Sequence, residues 1–244
     1  MRRRILFFAS LLLALPWTVQ ADPAANLAGA EKAYAGRKDP ASLQQAIALW
    51  QKVLEEDPSN AEAAWKLSRA AVWWGDHAPK GKREEIHKKG MNWGKQAIKL
   101  DPQNPEAHYW TAANMGSYGR AHGIMESLSM IKPMKAECET ILRLDKNYWR
   151  AHMLLGMLYR EAPGWPVSIG DDGKAVEELK RAVALAPRIP RALFELGLGY
   201  LENGDEELAR KTLQQAIDAP PEPGFELESL ETQAKARAKI KEMD

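Results

Sequence analysis

Apolar positions recur along this chain in short blocks with the period of a helix. After Asp39-Pro40, the residues Leu43, Ile47, Trp50 and Leu54 form one stripe at spacings of three and four, the mark of a helix with a single buried face. Similar blocks follow, and every second one closes on nearly the same phrase. The closers are Val53-Leu54-Glu55-Glu56-Asp57-Pro58, Ala97-Ile98-Lys99-Leu100-Asp101-Pro102, Ile141-Leu142-Arg143-Leu144-Asp145-Lys146 and Ala182-Val183-Ala184-Leu185-Ala186-Pro187, with a weaker copy at Ala216-Ile217-Asp218-Ala219-Pro220-Pro221. Equivalent positions fall at 57, 101, 145, 186 and 220, giving intervals of 44, 44, 41 and 34 residues. Self-similarity at such a period predicts stacked helical hairpins, each burying its apolar face only against its neighbours. The pattern places an opening hairpin over residues 24–57 and helix pairs over about 61–100, 105–144, 149–186 and 190–218. Pro220, Pro221, Pro223 and Gly224 break the array. A charged capping helix at about 226–243 follows, with a thin stripe of Leu227, Leu230, Ala234 and Ala238.

The shortest interval identifies the repeat. With Pro190 as the first residue of a unit, Leu196, Gly197, Tyr200, Ala209, Leu213, Ala216 and Pro221 match the tetratricopeptide (TPR) pattern. Gly197 and Ala209 let two antiparallel helices approach, while Tyr200 and Leu213 fill the space between units. The preceding unit repeats this with Leu155, Gly156, Tyr159, Ala175, Leu179, Ala182 and Pro187; the two before it keep Trp65, Leu67, Ala97 and Pro102, then His108, Ala112 and Ile141. The expected fold is all-α: a TPR-type α-solenoid, a right-handed superhelix of helical hairpins, with insertions between the helices of a pair.

Three insertions set the chain apart from a plain array. One, around Trp73 to Gly81, reads as a basic, glycine-containing loop. The second spans Asn114 to Pro133 and reads as added helix interrupted at Pro133. The third, Glu161 to Gly173, is too rich in Pro and Gly to be helical. All three join a first helix to a second, so they should emerge on one edge. On the residues Asn60 to Ala70, Pro105 to Trp110, Gly123-Ile124 with Ile131-Lys132-Pro133, and Pro163-Gly164-Trp165-Pro166 with Gly170-Asp171, the stretch from Asn60 to Ala219 resembles the TPR component associated with TRAP-type transporters, the T-component family. More distantly it resembles the TPR domain of regulator of microtubule dynamics proteins. The first resemblance implies a periplasmic helical protein that partners a substrate-binding protein and holds a small apolar ligand.

The start of the chain has a different character. Arg2, Arg3 and Arg4 precede the apolar run Ile5 to Leu15, then Pro16 and Val19-Gln20-Ala21. This is the plan of a signal peptide over residues 1–21, leaving residues 22–244 as a single solenoid domain directed to a bacterial periplasm; an uncleaved anchor is the lesser alternative. Removing residues 1–21 moves the formal charge from +1 to −2, so nothing electrostatic favours nucleic acid as a partner. Cys138 is the sole cysteine, which excludes an intramolecular disulfide and predicts a small buried apolar side chain.

No nucleophile, base and orienting group assemble into a catalytic constellation, so an enzyme is not expected, nor is a cofactor. His77, His87, His108, His122 and His152 lack metal-ligand spacing. His122 and Glu126 share a helix face as a surface pair, and His108 and His152 take equivalent repeat positions, which suggests packing. Gly170-Asp171-Asp172-Gly173-Lys174 is read as a helix entry capped by Asp171 or Asp172.

First-helix positions 2, 5, 9 and 12 should line a concave groove, and here they supply Trp65, Arg69, Tyr109, Met153, Met157, Arg160, Phe194 and Leu198. Such a wall open to water would be costly at about 25 cal/mol per Å². A partner, a ligand or the chain's own Met125, Leu128 and Ile131 should cover it. The expected function is a periplasmic scaffold that binds a partner protein, such as a transporter's substrate-binding protein, and holds a small apolar ligand, with Arg69 or Arg160 taking any acidic head group. The alternative is a purely structural adaptor in envelope assembly with a self-filled groove and no ligand.

Overall fold

A computed structural model describes residues 23–244, and the segment read as a signal peptide, residues 1–21, lies outside them. Among the described residues there are eleven α-helices and no strands. They are α1 (Pro23–Ala35), α2 (Pro40–Glu56), α3 (Ala61–His77), α4 (Lys80–Leu100), α5 (Pro105–His122), α6 (Ile124–Leu144), α7 (Trp149–Glu161), α8 (Asp172–Leu185), α9 (Pro190–Glu202), α10 (Glu206–Asp218) and α11 (Glu226–Glu242). Consecutive helices pack as hairpins, and α3, α5, α7 and α9 stack on one another as the inner wall of an all-α TPR solenoid.

The repeated closers have a local cause. Asp57, Asp101 and Asp145 each end a second helix, and each side chain accepts the N–H two residues on, from Ser59 (3.0 Å), Gln103 (3.1 Å) and Asn147 (2.9 Å). That turn delivers Asn60 and Asn104 as N-caps of α3 and α5, where their side chains accept from Ala63 and Glu106. The next helices then pack at glycine distance. A Cβ on Gly197 would stand 2.7 Å from Leu213 Cγ, and one on Gly156 would stand 2.5 Å from Leu179 Cγ. The two equivalent histidines also repeat their roles. His108 joins Glu137 and the Pro102 carbonyl, and His152 joins Glu178 and the Lys146 carbonyl. Each pins a first helix to its second helix and to the preceding turn, as their register suggests.

Two insertions differ from their expected form. The stretch Trp73 to Gly81 is not a long loop: α3 and α4 extend until only Ala78 and Pro79 separate them. Gly75 belongs to this packing, because a Cβ there would meet the His87 ring at 2.4 Å. Pro133 does not interrupt α6 but lies inside it. Pro133 and Ser129 are both exposed, so the lost hydrogen bond falls on the side facing water. The third insertion is non-helical, with turns between Ala162 and Asp171 and a Gly164–Gly170 bridge; Asp171 caps α8 by accepting from Lys174 N–H at 2.9 Å. His122 pairs with Glu84 of α4 at 3.0 Å rather than with Glu126. Cys138 is fully buried, and its environment pushes the thiol pKa far up by desolvation.

The last helix departs most from expectation. Its buried face is Ser229, Thr232, Gln233 and Ala236, whereas Leu230, Ala234 and Ala238 are exposed. The C-terminal half caps the array, Ala236, Ile240 and Met243 packing with Leu193, Leu213 and Ala216. The N-terminal half is exposed at Glu226, Leu230 and Glu231 but also has an inward face. It crosses to the first hairpin, where Leu227 joins the core built by Tyr34, Leu43, Ile47 and Trp50.

Candidate functional site

The inner wall encloses a cavity of about 610 Å³, open to solvent on one side and roofed on the other by residues 222–235. α3 contributes Arg69, Val72 and Asp76; α5 contributes Tyr109, Trp110 and Arg120; α7 contributes Trp149, Arg150, Met153 and Met157. Positions of the inner wall come from the stacking of first helices. Asn114 on α5 sets that spacing: its amide donates to the Ser68 carbonyl on α3 (2.8 Å) and to the Trp110 carbonyl (2.9 Å), and its oxygen meets His87 Nδ1 of α4 at 3.3 Å. Burial holds the His87 pKa below its ordinary value, although Asn114 and Asp76 act the other way. Glu106 braces the next layer, accepting from Trp110 Nε1 and Tyr148 Oη at 2.8 Å each.

Four of the eight residues expected in the groove line this cavity: Arg69, Tyr109, Met153 and Met157. The other four do not. Trp65 is overlaid by Arg69 and Lys66 and packs into the core between units. Phe194 joins the α9–α10–α11 core, and Leu198 lies on the same helix away from the cavity. Arg160 is held by Glu195 (3.1 Å), Glu202 (2.9 Å) and Glu161 (3.1 Å), so its charge is already matched. Arg69 is held similarly by Glu31 at 2.9 Å and stacks over Tyr34, 4.4 Å from the ring centroid. Neither arginine is free to take an acidic head group without losing an ion pair.

Arg150 and Arg191 are two cavity cations that the repeat register could have predicted; Arg83 and Arg120 also line it. Arg150 and Arg191 occupy the second position of their units, one residue after Trp149 and Pro190, and both line the cavity. Position 2 was therefore the available signal. Met125, Leu128 and Ile131 do not cover the wall. Met125 is exposed, and Ile131 packs with Met115 and Met134 between α5 and α6.

Residues 222–235 cover it instead. Phe225 stacks on Trp110, with centroids 6.1 Å apart and planes at 17°, and Arg150 lies 4.9 Å over the Phe225 ring. Arg150 also pairs with Glu222. Burial raises the Glu222 pKa above the usual carboxylate range, outweighing the pull of Arg150. Beyond the cavity, in the turn between α1 and α2, Arg37, 3% exposed, grips Glu228 through Nε and Nη2, with Nε to Oε1 at 3.0 Å, and Nη2 also donates to the Gly224 carbonyl. The Arg37 guanidinium lies between Tyr34 (4.7 Å) and Trp73 (5.0 Å), and Trp73 Nε1 donates to the Arg37 carbonyl. His77, stacked 3.8 Å from Trp73, meets Glu231 at 2.9 Å. Desolvation pushes the buried Tyr34 pKa up to about 12 and raises that of Tyr109, so both stay neutral phenols in this wall.

Among the described residues, no group of three or more His, Cys, Asp or Glu is placed to hold a metal, and no helix is long and apolar enough to cross a membrane.

Comparison with known structures shows the same fold. A thermophilic TPR protein from Thermus thermophilus superposes with a TM-score of 0.69 at 19% identity, covering 89% of this chain and 100% of that one. PilW, a widely conserved type IV pilus biogenesis factor, gives 0.60 at 17% identity over 89% of this chain and 91% of its own. MamA from Desulfovibrio magneticus RS-1 gives 0.52 at 17% identity over 79% and 96%. No curated protein matches the chain. A tetratricopeptide repeat model matches residues 167–222, and the model of regulator of microtubule dynamics protein 1-3 matches residues 27–163, more than half of the chain. The T-component family, the nearer resemblance in the sequence, is not among these matches. With its helical hairpins in TPR register, the chain is a TPR-repeat protein, and it belongs to the regulator of microtubule dynamics protein 1-3 family.

Proposed function

We propose that this chain is an exported TPR scaffold whose inner wall docks a segment of a partner protein. The observation that carries the reading is the wall itself: cations and aromatic rings converge on residues 222–231, so this surface holds a peptide chain in the structure. Export rests on Arg2 to Arg4, the apolar run and Val19-Gln20-Ala21. A substrate-binding protein of a transporter is the partner class that the sequence resemblance suggests. The test is a photo-crosslinking residue introduced at Met157, facing the cavity, in cells that express the chain. A defined protein adduct that disappears with Arg150→Glu supports the scaffold. Adducts only from a control site at the exposed Leu208 on α10, with none from position 157, overturn it.

A small apolar ligand is the second reading, favoured by the space left beside Tyr109, Met153 and Met157 and by its size, within the ~300–1,000 Å³ usual for ligand pockets. A discrete compound released on denaturing the purified chain supports it, and a chain that releases none from any preparation overturns it.

A further inference from the structure

We infer that the inner wall is a receptor for acidic segments carrying a phenylalanine, and that residues 222–231 occupy it in cis as the chain's own stand-in for such a partner. The inference rests on the scaffold reading and names the chemistry of what docks there. The contacts fall at every third residue: Glu222 on Arg150, Phe225 on Trp110 and Arg150, Glu228 on Arg37, Glu231 on His77. Each receptor group is fixed from behind by the solenoid. Arg37 is stacked between Tyr34 and Trp73, His77 on Trp73, and Arg150 over Trp149 at 4.5 Å. A wall built only to be covered would need apolar contact; α11 presents small polar residues to it, and the acidic residues make the specific contacts.

The segment is also built to leave without unfolding the array. It hangs between the Pro220–Gly224 turn and a C-terminal half anchored by Ala236, Ile240 and Met243. Its shape is held by its own bonds. The Glu222 N–H donates to Ser229 Oγ (3.0 Å), the Gly224 N–H to Glu226 (2.9 Å) and Gln233 Nε2 to the Ala219 carbonyl (2.8 Å). A competing peptide therefore has to replace one aromatic contact, the arginine ion pairs of Glu222 and Glu228, the His77–Glu231 contact and the packing of Leu227.

The experiment titrates a labelled synthetic peptide of residues 219–233 into the full chain and into a full chain carrying Phe225→Ala and Glu228→Gln. The opened chain should bind at least about tenfold tighter than wild type, and binding should weaken as salt is raised. A peptide with Phe225→Ala, or with Glu222→Gln, Glu228→Gln and Glu231→Gln together, should lose about tenfold or more. Equal binding by wild-type and opened chains, or full binding by the Gln peptide, overturns the inference. A second measurement needs no variant: excess peptide should speed amide hydrogen exchange at residues 226–232 of the wild-type chain, and unchanged exchange overturns it. If position 157 crosslinks a partner in cells while the peptide is refused, the scaffold stands and the acidic class falls. If the peptide binds and no partner crosslinks, the receptor chemistry stands and the scaffold reading falls.

Discussion

Replacing Arg37 with methionine is expected to lower the unfolding free energy by about 2–4 kcal/mol and to free the segment around residues 220–230. Removing one member of a buried ion pair typically costs about 3–5 kcal/mol, because the remaining charge is left without a partner. Here the cost falls around and below the low end of that range, since the Glu228 side chain is 25% exposed and can turn to water once released. Methionine matches the length of the stem but forfeits the bonds to Glu228, the Tyr34 carbonyl and the Gly224 carbonyl, along with both ring contacts. Helix content should hardly change, because the second half of α11 stays packed on α9 and α10. Protease cleavage should appear between Pro220 and Gly224. Denaturation of Arg37→Met, Glu228→Gln and the double variant checks the pairing. The double variant should cost clearly less than the sum of the singles, and strict additivity would show that the pair does not couple.

Asn114→Ala is expected to cost about 2–4 kcal/mol, close to the Arg37 effect but acting inside the wall. The alanine removes the second donor from the Ser68 and Trp110 carbonyls, which keep their helical N–H partners, and leaves the His87 ring without its acceptor in a fully buried place. A buried polar group left unsatisfied costs about 1–3 kcal/mol, and the lost volume adds a cavity. Collapse is hindered because the helices already meet at Gly90, where a Cβ would stand 2.3 Å from Asn114 Oδ1. Denaturation midpoints are best compared near pH 8, where His87 is neutral both folded and unfolded. Burial lowers its folded pKa, so as pH falls below about 6.5 the unfolded chain takes up a proton that the folded chain refuses, and stability falls with it. A loss below about 0.5 kcal/mol at pH 8 would mean that Asn114 does not set the α3–α5 spacing.

The hairpins and their breaks are legible in the sequence because their causes are local. An apolar stripe, a closing Asp that turns the chain, an Asn cap and a glycine opposite a leucine all lie within a few residues or one repeat of each other. The inner wall is legible by half for the same reason: repeat register places Tyr109, Met153 and Met157 inward, and the same register would have found Arg150 and Arg191 at the second position. What register cannot carry is the pairing of charges. Arg160 turns to Glu195 and Glu202 because the next unit brings them within reach. The roof over the groove is less legible still, since α11 shows a leucine stripe by spacing but buries Ser229, Thr232 and Gln233. Its partners Arg37 and His77 stand at the other end of the chain, with nothing near Glu228 or Glu231 to announce them.

The contact between Arg37 and Glu228 joins residues 191 positions apart. An ordinary solenoid behaves as a one-dimensional stack: its terminal units fray, and its stability is close to a sum of units and interfaces. Here the last helix is bolted to the first hairpin, so neither terminus can peel away without also breaking the seam between them. Loop closure over such a span is entropically little worse than over a few units, because the cost grows only with the logarithm of length. The return is that fraying, normally the first step of disassembly, becomes a loss felt at both ends together. An otherwise open stack is turned into a ring of mutually dependent units, and letting go of the seam restores the open stack with its loose ends.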